Sequence, residues 1–491
     1  MKNQDRTPLL EAIEDFIETK PAYFRIPGHR LDRGISTRWT DKVGTKIFAY
    51  DVTETPLTDD LHAPEGAILE AQDLLSELYK SDKSYFLVNG TTCGNEAMII
   101  STAFEGEKIM IARNAHKSAM MGLILSGAQP VYVMPEILDE WGIQGGITPQ
   151  NVRDAFEKNP DCKALFLVSP SYYGIVSDLE GIAKVCHEYG ALLLVDEAHG
   201  GHVYFHKDLP KGAIESGADM CVQSFHKITG ALTQSSVMHI KNNGVSFDEE
   251  KISANLHLVQ STSPNYLLMT SLDCARYELA INGNEMMEKA IALADYAKSK
   301  LNDIDGICYM DDSVVGSAGV AGIDTTRLVI SAKGLGLSGF EFEEMLYNEY
   351  DVNMELADYE NVLAIITYAN TQEDIDRLID ACRDISNRYM IKSKKSDVSV
   401  INTKLPDIPK QVMTPRKAHF ANVTEIDWQQ AVGNISAQIL APYPPGIPII
   451  YPGEIITKEV WEYIERFRKD GRHIHGAKAG KLDTVSVIKY E

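Results

Sequence analysis

No stretch of this 491-residue sequence is apolar over the length that a transmembrane helix needs. The N-terminus, Met1–Lys20, carries a charge every few residues and lacks the apolar core of a signal peptide. We therefore expect no membrane partner and a protein that stays in the cytoplasm.

Basic residues are also few. The sequence has 47 Lys and Arg against 70 Asp and Glu, which gives a formal net charge of −23 at pH 7. Beyond the short run Lys392–Lys395, no basic cluster offsets this charge locally. Because an acidic surface repels phosphate backbones, the composition argues against nucleic-acid binding.

Cysteines are scarce, and their spacing suggests no pairs. The seven of them are an odd number, are widely scattered and include no Cys-x-x-Cys motif. Such usage is typical of reduced cytosolic thiols rather than of a disulfide framework or a zinc site, so we expect no metal. They are Cys93, Cys162, Cys186, Cys221, Cys274, Cys308 and Cys382.

What the sequence does contain is a regular alternation of apolar runs and helical patterns. The runs have strand length and are apolar on both faces, as in a mostly parallel sheet covered by helices on both sides. We predict a large α/β domain with strands at Tyr85–Val88, Lys108–Ile111, Pro130–Met134, Ala164–Val168, Ala191–Val195, Met220–Gln223 and Val237–Ile240, and with helices at Pro64–Tyr79, Gly94–Phe104 and Leu179–Tyr189.

Other regions flank this domain. An amphipathic helix at Thr7–Glu18 and an irregular segment at Tyr23–Glu65 precede it. Around Gly283 the pattern changes to a long helix, Glu285–Leu301, and a smaller α/β domain with strands at Arg327–Ser331, Val352–Leu356 and Val362–Ile366 and helices at Gly339–Glu349 and Thr371–Tyr389. We divide the chain into an N-terminal helix and arm (1–64), a large domain (65–282), a small α/β domain (283–390), a linker (391–415) and a C-terminal α+β domain (416–491).

The most informative residues follow two neighbouring predicted strands. LLLVDEAHG places Asp196 and His199 after one strand, and QSFHK places Ser224, His226 and Lys227 after the next. A lysine shielded from water beside cations has a lowered pKa and reacts readily with carbonyls. A buried Asp is what a pyridoxal ring nitrogen requires, so this pattern predicts Schiff-base chemistry.

Simpler interpretations exist for each residue taken alone. Lys227 by itself reads as a surface lysine, and Asp196 by itself as a helix cap. The letters Asp196–His199 also spell the DEAH box of helicases, but that interpretation needs a G-x-x-x-x-G-K-[ST] phosphate loop. Gly480-Lys481 is the only Gly-Lys pair, and it is followed by Leu482. We therefore reject the helicase.

A phosphate site is predicted independently of these residues. VNGTTCGNEAM places Thr91, Thr92 and Cys93 between a strand and a helix, where free backbone N–H groups meet the positive end of the helix dipole. A plain helix cap would explain the same turn. His116 follows another strand in RNAHKS, and its imidazole suits stacking on an aromatic ring, although a lone histidine is more often a structural residue.

Together these motifs resemble the Orn/Lys/Arg decarboxylase family, which are pyridoxal-phosphate enzymes of aminotransferase fold. The resemblance runs in order from about Pro21 to Glu454, and the length is similar to that of the short bacterial arginine decarboxylases without an N-terminal wing domain. It rests on IPGHR (Ile26–Arg30), TDDLHAPEG (Thr58–Gly66), NGTTCGN (Asn89–Asn95), RNAHKS (Arg113–Ser118), DEAHG (Asp196–Gly200), SFHK (Ser224–Lys227), TSPNY (Thr262–Tyr266) and YPPGIPIIYPGE (Tyr443–Glu454).

The resemblance implies roles for individual residues. Lys227 would form the Schiff base with pyridoxal 5'-phosphate and Asp196 would pair with its ring nitrogen. His116 and Ala198 would pack on opposite ring faces with His199 nearby. Glu454 would contact the basic end of the substrate or serve as a structural turn. The phosphate would be held by Thr91, Thr92, Cys93, Ser224 and His226, and by Thr262 or Ser263 of a neighbouring subunit.

We therefore expect decarboxylation of L-arginine to agmatine and carbon dioxide, in polyamine metabolism, by a homodimer or higher homo-oligomer with active sites at the subunit interface. Lysine and ornithine are alternative substrates. Two other hypotheses stay open: an aminotransferase or another pyridoxal-phosphate lyase of the same fold, and a catalytically silent homologue that serves as a binding or regulatory subunit.

Overall fold

The computed structural model describes residues 3–390, 405–442 and 448–489. Most of the predicted linker, residues 391–404 with the basic run, lies outside these ranges, as do residues 443–447 of the proline-rich motif. Within the described residues, no helix combines the length and the apolar composition needed to cross a bilayer.

The N-terminal region is more helical than its sequence suggests. Its helices are α1 (Pro8–Glu18), α2 (Thr37–Val43) and α3 (Ala67–Tyr79), with a 3-10 turn at Lys46–Tyr50. The prediction of an irregular segment from Tyr23 to Glu65 is therefore partly wrong. Helix α2 buries none of its residues, so it carries no apolar periodicity that a sequence pattern could reveal.

Asp59, from the TDDLHAPEG motif, anchors this region to α3. Its carboxylate accepts hydrogen bonds from the backbone N–H groups of Glu65, Gly66 and Ile68, at 2.9–3.0 Å. These groups lie at the start of α3, where N–H groups have no helical partner and the dipole favours an anion. The motif therefore has a structural role in seating the arm.

A seven-stranded sheet forms the centre of the large domain and confirms the predicted fold class. Its order is β1-β10-β9-β8-β6-β2-β3, and all pairs are parallel except those that involve β10. Two short strands, β4 and β5, form a hairpin, and β7 lies apart from the sheet. The strands are β1 (Lys83–Leu87), β2 (Lys108–Ala112), β3 (Gln129–Val133), β4 (Ile137–Leu138), β5 (Ile143–Gln144), β6 (Cys162–Val168), β7 (Ile175–Val176), β8 (Leu192–Asp196), β9 (Met220–Gln223) and β10 (Ser236–Ile240).

Helices cover both faces of this sheet. In β6, Phe166 packs into the core under α4, α5 and α9, while Leu165 and Leu167 pack into the core under α6 and α7. Because successive strand residues enter opposite cores, both faces must be apolar, which explains the continuous apolar runs. The helices are α4 (Gly90–Thr102), α5 (Lys117–Ser126), α6 (Pro149–Lys158), α7 (Leu179–Glu188), α8 (Phe225–Ile228) and α9 (Glu249–Val259).

One helix, α10 (Tyr266–Leu301), extends from the large domain into the next region. The predicted start at Glu285 is wrong, and the predicted boundary between residues 282 and 283 lies inside this helix. Gly283 fits there because the Phe205 ring occupies the space of a side chain: a Cβ on Gly283 would lie 2.8 Å from Phe205 Cδ1. The glycine therefore marks a close contact within the helix and not its beginning.

The small region packs on the second half of α10 through a separate core. Its four-stranded sheet has the order β11-β13-β15-β14, all antiparallel. The predicted strand at Val352–Leu356 is largely wrong, because the strand β14 comprises Leu356–Ala357 and the Val352 N–H donates to the Leu346 carbonyl at the end of α11. The elements are β11 (Cys308–Tyr309), β12 (Gly322–Ile323), β13 (Arg327–Ser331), α11 (Gly339–Tyr350), β14 (Leu356–Ala357), β15 (Asn361–Ile365) and α12 (Gln372–Met390), and β12 pairs with β7.

The C-terminal region has a core of its own around Trp428, which is buried and donates through Nε1 to Glu465 Oε2 at 3.0 Å. Its strands form two antiparallel pairs, β16 with β19 and β17 with β18. The elements are α13 (Pro415–His419), β16 (Val423–Asp427), β17 (Ala441–Pro442), α14 (Lys458–Lys469), β18 (Ile474–His475) and β19 (Thr484–Ile488).

Candidate active site

The ends of β8 and β9 bring together the two residues on which the sequence interpretation depends. The strands are parallel neighbours, so the residues that follow them meet at one edge of the sheet. Lys227, on the short helix α8, points back to the loop after β8, and its Nζ lies 2.8 Å from His199 Nε2. The structure thus places Lys227 and His199 in direct contact.

The surroundings of Lys227 shift its pKa downward. Burial lowers the pKa of Lys227 and the positive charge of Arg327 lowers it further, against the opposing effect of Asp196 and Glu355. Burial also lowers the pKa of His199 well below its usual value, and the charges of Lys227 and Arg327 add to this effect. Burial thus disfavours the protonated form of His199, and a lowered pKa makes Lys227 a more competent nucleophile for a carbonyl than an exposed lysine.

Asp196, the last residue of β8, is buried beside this pair. Its Oδ2 accepts from Asn95 Nδ2 at 2.7 Å and its Oδ1 accepts from the Ala198 N–H at 3.1 Å. Two donors on this buried carboxylate give each of its oxygens a hydrogen-bond partner and hold its plane in place. Asp196 is therefore held in a fixed position at the same sheet edge as Lys227.

Hydroxyl groups converge at the first turn of α4. Thr91 Oγ1 lies 3.2 Å from Ser224 Oγ. Thr92, the next residue in the sequence, is half-buried. Gly90 has a φ of +73°, a conformation that favours glycine, and it turns the chain from β1 into the helix. Free N–H groups and two kinds of hydroxyl at a helix N-terminus form a site suited to an anion.

Cys93 takes a different direction. Its Sγ lies 3.1 Å from the Gly90 carbonyl oxygen, and burial raises the pKa of its thiol to about 12. Gly94 has no room for a hydroxyl-bearing side chain, since a Cβ would lie 2.6 Å from Val222 Cγ1. The side chain of Cys93 therefore faces its own helix, and Thr91, Thr92 and Ser224 are the better-placed donors.

The two remaining histidines of the predicted site are both anchored by hydrogen bonds. His116 precedes α5, and its Nδ1 lies 2.9 Å from Ser118 Oγ, while the residue as a whole is exposed. His226 Nδ1 lies 3.0 Å from the Ser235 carbonyl oxygen, and burial lowers the pKa of His226. Each ring thus has its Nδ1 in contact with a hydrogen-bonding group of the protein.

Thr262 and Ser263 are exposed on the loop before α10. The loop approaches the first turn of α4, because the Ser261 N–H donates to Asn89 Oδ1 at 3.2 Å. Their predicted contact with a neighbouring subunit involves a second chain and stays a prediction.

Glu454 is fully buried and already has its partners. Arg113 donates to both carboxylate oxygens, at 2.6 and 2.8 Å, and the Tyr451 N–H donates at 2.8 Å. The Arg113 guanidinium also lies 4.6 and 4.4 Å from the ring centroids of Tyr132 and Tyr451. Of the two predicted roles for Glu454, the geometry favours the structural one, in which it joins the C-terminal region to the end of β2.

Several residues near Lys227 were missed in the sequence. Arg327, at the start of β13, is buried and donates through Nη2 to the His199 carbonyl at 3.1 Å. The Tyr172 ring lies 4.4 Å from the His199 ring and 5.7 Å from Lys227 Nζ, and its hydroxyl donates to Glu355. These residues come from distant segments, and Arg327 reads in the sequence as the first residue of a strand.

Two family models match the chain. The model described as "Orn/Lys/Arg decarboxylase, major domain" matches residues 7–326, and "Orn/Lys/Arg decarboxylase, C-terminal domain" matches residues 399–479. An arginine decarboxylase of Bacillus subtilis (strain 168) is 38% identical over 489 residues, which cover 99% of each chain. An inducible lysine decarboxylase of Escherichia coli (strain K12) is 22% identical over 99% of this chain and 81% of its own.

Solved structures agree at the level of the fold. The Francisella novicida lysine decarboxylase LdcF superposes with a TM-score of 0.83 at 22% identity, over 98% of this chain and 81% of that one. An alanine–glyoxylate aminotransferase from Nostoc sp. superposes with a TM-score of 0.54 at 19% identity, over 68% of this chain and 89% of that one.

A substitution of Glu454 tests its structural role in the buried ion pair with Arg113. We expect Glu454→Gln to destabilise the protein by about 3–5 kcal/mol, because a buried guanidinium loses its counter-charge. Denaturant unfolding followed by tryptophan fluorescence measures the loss. A double variant, Arg113→Met with Glu454→Met, removes both charges and should recover most of it. Normal stability of Glu454→Gln together with a raised KM would instead support the substrate-contact role.

Proposed function

The chain belongs to the Orn/Lys/Arg decarboxylase family, and on that basis we propose that it converts L-arginine to agmatine and carbon dioxide with the help of pyridoxal 5'-phosphate. We choose arginine as the substrate on a single observation: several arginine decarboxylases are 36–38% identical to this chain over nearly its whole length. The family confirms the resemblance seen in the sequence.

The donor set at the sheet edge fits pyridoxal phosphate. The hydroxyls of Thr91, Thr92 and Ser224 at the start of α4 would hold the phosphate, and Asp196 would hold a proton on the ring nitrogen. Lys227 would attach the aldehyde, with His116 and Ala198 against the ring. What the cofactor supplies when bound is an electron sink for the substrate carbon that loses its carboxylate.

The proton transfers of the reaction would fall to residues of the protein. Lys227 Nζ, hydrogen-bonded to neutral His199, is the group placed to return a proton to the substrate carbon after carbon dioxide leaves. Arg327, which belongs to the small region, donates a hydrogen bond to the His199 carbonyl. This bond holds the loop after β8 in place, and with it the contact between His199 and Lys227. These contacts support a working enzyme over a catalytically silent subunit.

We also propose that two copies of this chain form a homodimer. The N-terminal arm exposes large apolar side chains to solvent, with Phe24 at 88% and Trp39 at 56% of full exposure. Ile26, Val43, Ile47 and Leu57 of the same region are exposed as well. An apolar surface of this kind is typical of an interface, and a second copy would cover it.

Lys227→Ala tests the proposed attachment site. This variant should lose the visible absorbance of bound cofactor together with decarboxylation, because no other amine lies beside His199 among the described residues. Lys184→Ala, which removes an exposed lysine from α7, is the matched control and should keep both properties. Full colour and activity in Lys227→Ala would contradict the assignment.

A side-by-side assay tests the reaction and the substrate. Carboxyl-labelled arginine, lysine and ornithine are each supplied to the purified enzyme, and labelled carbon dioxide and keto acids are both quantified. We expect carbon dioxide from arginine, with a kcat/KM at least about tenfold above the others, which corresponds to 1.4 kcal/mol of discrimination. Keto-acid formation without carbon dioxide would favour an aminotransferase.

Sedimentation tests the homodimer. We expect a species of twice the 54.5 kDa chain mass, and Trp39→Asp should shift it towards the single chain by placing a charge in the covered surface. Tyr347→Asp, at a residue of α11 that is 55% exposed, serves as the control and should leave the dimer intact. A wild-type protein that sediments as one chain would overturn the proposal.

A further inference from the structure

A continuous line of hydrogen bonds runs behind the candidate site. Asn95 Nδ2 lies 2.7 Å from Asp196 Oδ2 and 2.9 Å from Ser118 Oγ. Ser118 Oγ in turn lies 2.9 Å from His116 Nδ1. Asn95 and Ser118 are fully buried. Both stand in motifs that the sequence singles out, NGTTCGN and RNAHKS, but neither receives a role there.

From this geometry we propose that Asn95 is a positioning residue: through Ser118 it sets the tautomer of His116, and at the same time it orients the Asp196 carboxylate. The inference rests on the proposed function, since it assigns the pyridoxal-phosphate ring to the space between these two side chains.

The direction of each hydrogen bond follows from the chemistry of the groups. A carboxylate accepts only, so the Asn95 amide must present its NH2 group to Asp196. The same NH2 group has a second hydrogen, which it donates to Ser118 Oγ. The reversed amide would place an oxygen 2.7 Å from the carboxylate oxygen, where two acceptors repel each other.

The hydroxyl of Ser118 then has one hydrogen left to donate, and His116 Nδ1 receives it. The Ser118 N–H also points to Nδ1, at 3.3 Å. An imidazole nitrogen that accepts from two donors carries no proton, so the proton of neutral His116 is on Nε2. His116 as a whole is exposed, and Nε2 would be the ring nitrogen that donates to a bound cofactor or substrate.

Asn95 also ties together three parts of the site. It belongs to α4, whose first turn holds Thr91 and Thr92, and it reaches both the end of β8 and the start of α5. Asp196 Oδ1 is held from the other side by the Ala198 N–H. With both oxygens bonded to the protein, the carboxylate plane cannot rotate away from the ring nitrogen it would serve.

The same helix provides a matched control. Asn255 Nδ2 donates to Ser101 Oγ at 2.9 Å, which is the same type of hydrogen bond at the opposite end of α4. Test variants are Asn95→Ala, Asn95→Asp and Ser118→Ala, and control variants are Asn255→Ala, Asn255→Asp and Ser101→Ala. A general effect on α4 would appear in both sets, whereas the proposed effect is confined to the first.

Two readouts follow these variants. In apoprotein labelled with ¹⁵N-histidine, the His116 resonances, assigned with His116→Gln, report the tautomer. We expect Nε2–H in the wild type and in the controls, and a shift towards mixed tautomers in Asn95→Ala and Ser118→Ala.

Titration of apoprotein with pyridoxal phosphate gives Kd, which should rise by roughly 10- to 100-fold in the test variants, the range seen when supporting residues of a metal site are removed.

Asn95→Asp should have the largest effect on Kd, and the effect should depend on pH. It places a second carboxyl group beside Asp196, and two adjacent carboxylates do not both ionise readily. Asn255→Asp adds the same charge far from Asp196 and should leave Kd unchanged.

Unchanged His116 tautomers and unchanged Kd in Asn95→Ala and Ser118→Ala would overturn the inference, and so would equal changes in the Asn255 and Ser101 variants. Should an Asn95 variant fail to fold, Ser118→Ala still interrupts the same line of hydrogen bonds. Should the wild type bind no pyridoxal phosphate, the proposed function fails, while the apoprotein tautomer still tests the hydrogen-bonding part of the inference.

Discussion

The parallel pairing of β8 with β9 is the constraint on which the site depends. It aligns the carboxyl ends of two strands, so that a carboxylate from one and an amine from the other share a buried space at a single edge. A buried cation or anion is costly alone. The amine avoids part of this cost by a lowered pKa and a neutral histidine partner, and the carboxylate is compensated by the donors from Asn95 and Ala198.

Secondary-structure elements that leave a pattern within their own residues were predictable from the sequence. All seven strands of the main sheet were located within a few residues, because an apolar run on both faces is a direct consequence of cores on both sides of the sheet. Lys227 and Asp196 were singled out for the same reason: Asp196 ends such a run at β8, and Lys227 comes four residues after the run at β9. Helix α10 was found only in part, since it packs in two different cores and its apolar stripe changes partners near Gly283.

Contacts between distant segments were not predictable. Nothing near Glu454 in the sequence indicates that Arg113, more than 300 residues earlier, occupies both of its carboxylate oxygens. Arg327 and Asn95 were missed in the same way, because their positions beside His199 and Asp196 arise from tertiary packing. A motif shows that a residue type is required at a position, but the partner that requires it becomes visible only in three dimensions.

The phosphate turn shows how packing and chemistry compete within a few residues. Helix α4 must approach the sheet closely enough for Asn95 to reach Asp196, and at that distance Val222 leaves no space for a side chain at position 94. The glycine that permits this approach removes a possible hydroxyl donor, and Cys93 directs its thiol back to the Gly90 carbonyl. The anion binding that we propose at this helix end would therefore depend on backbone N–H groups and on Thr91, Thr92 and Ser224. The position of the helix is set by its contact with the sheet, and the choice of donors follows from that position.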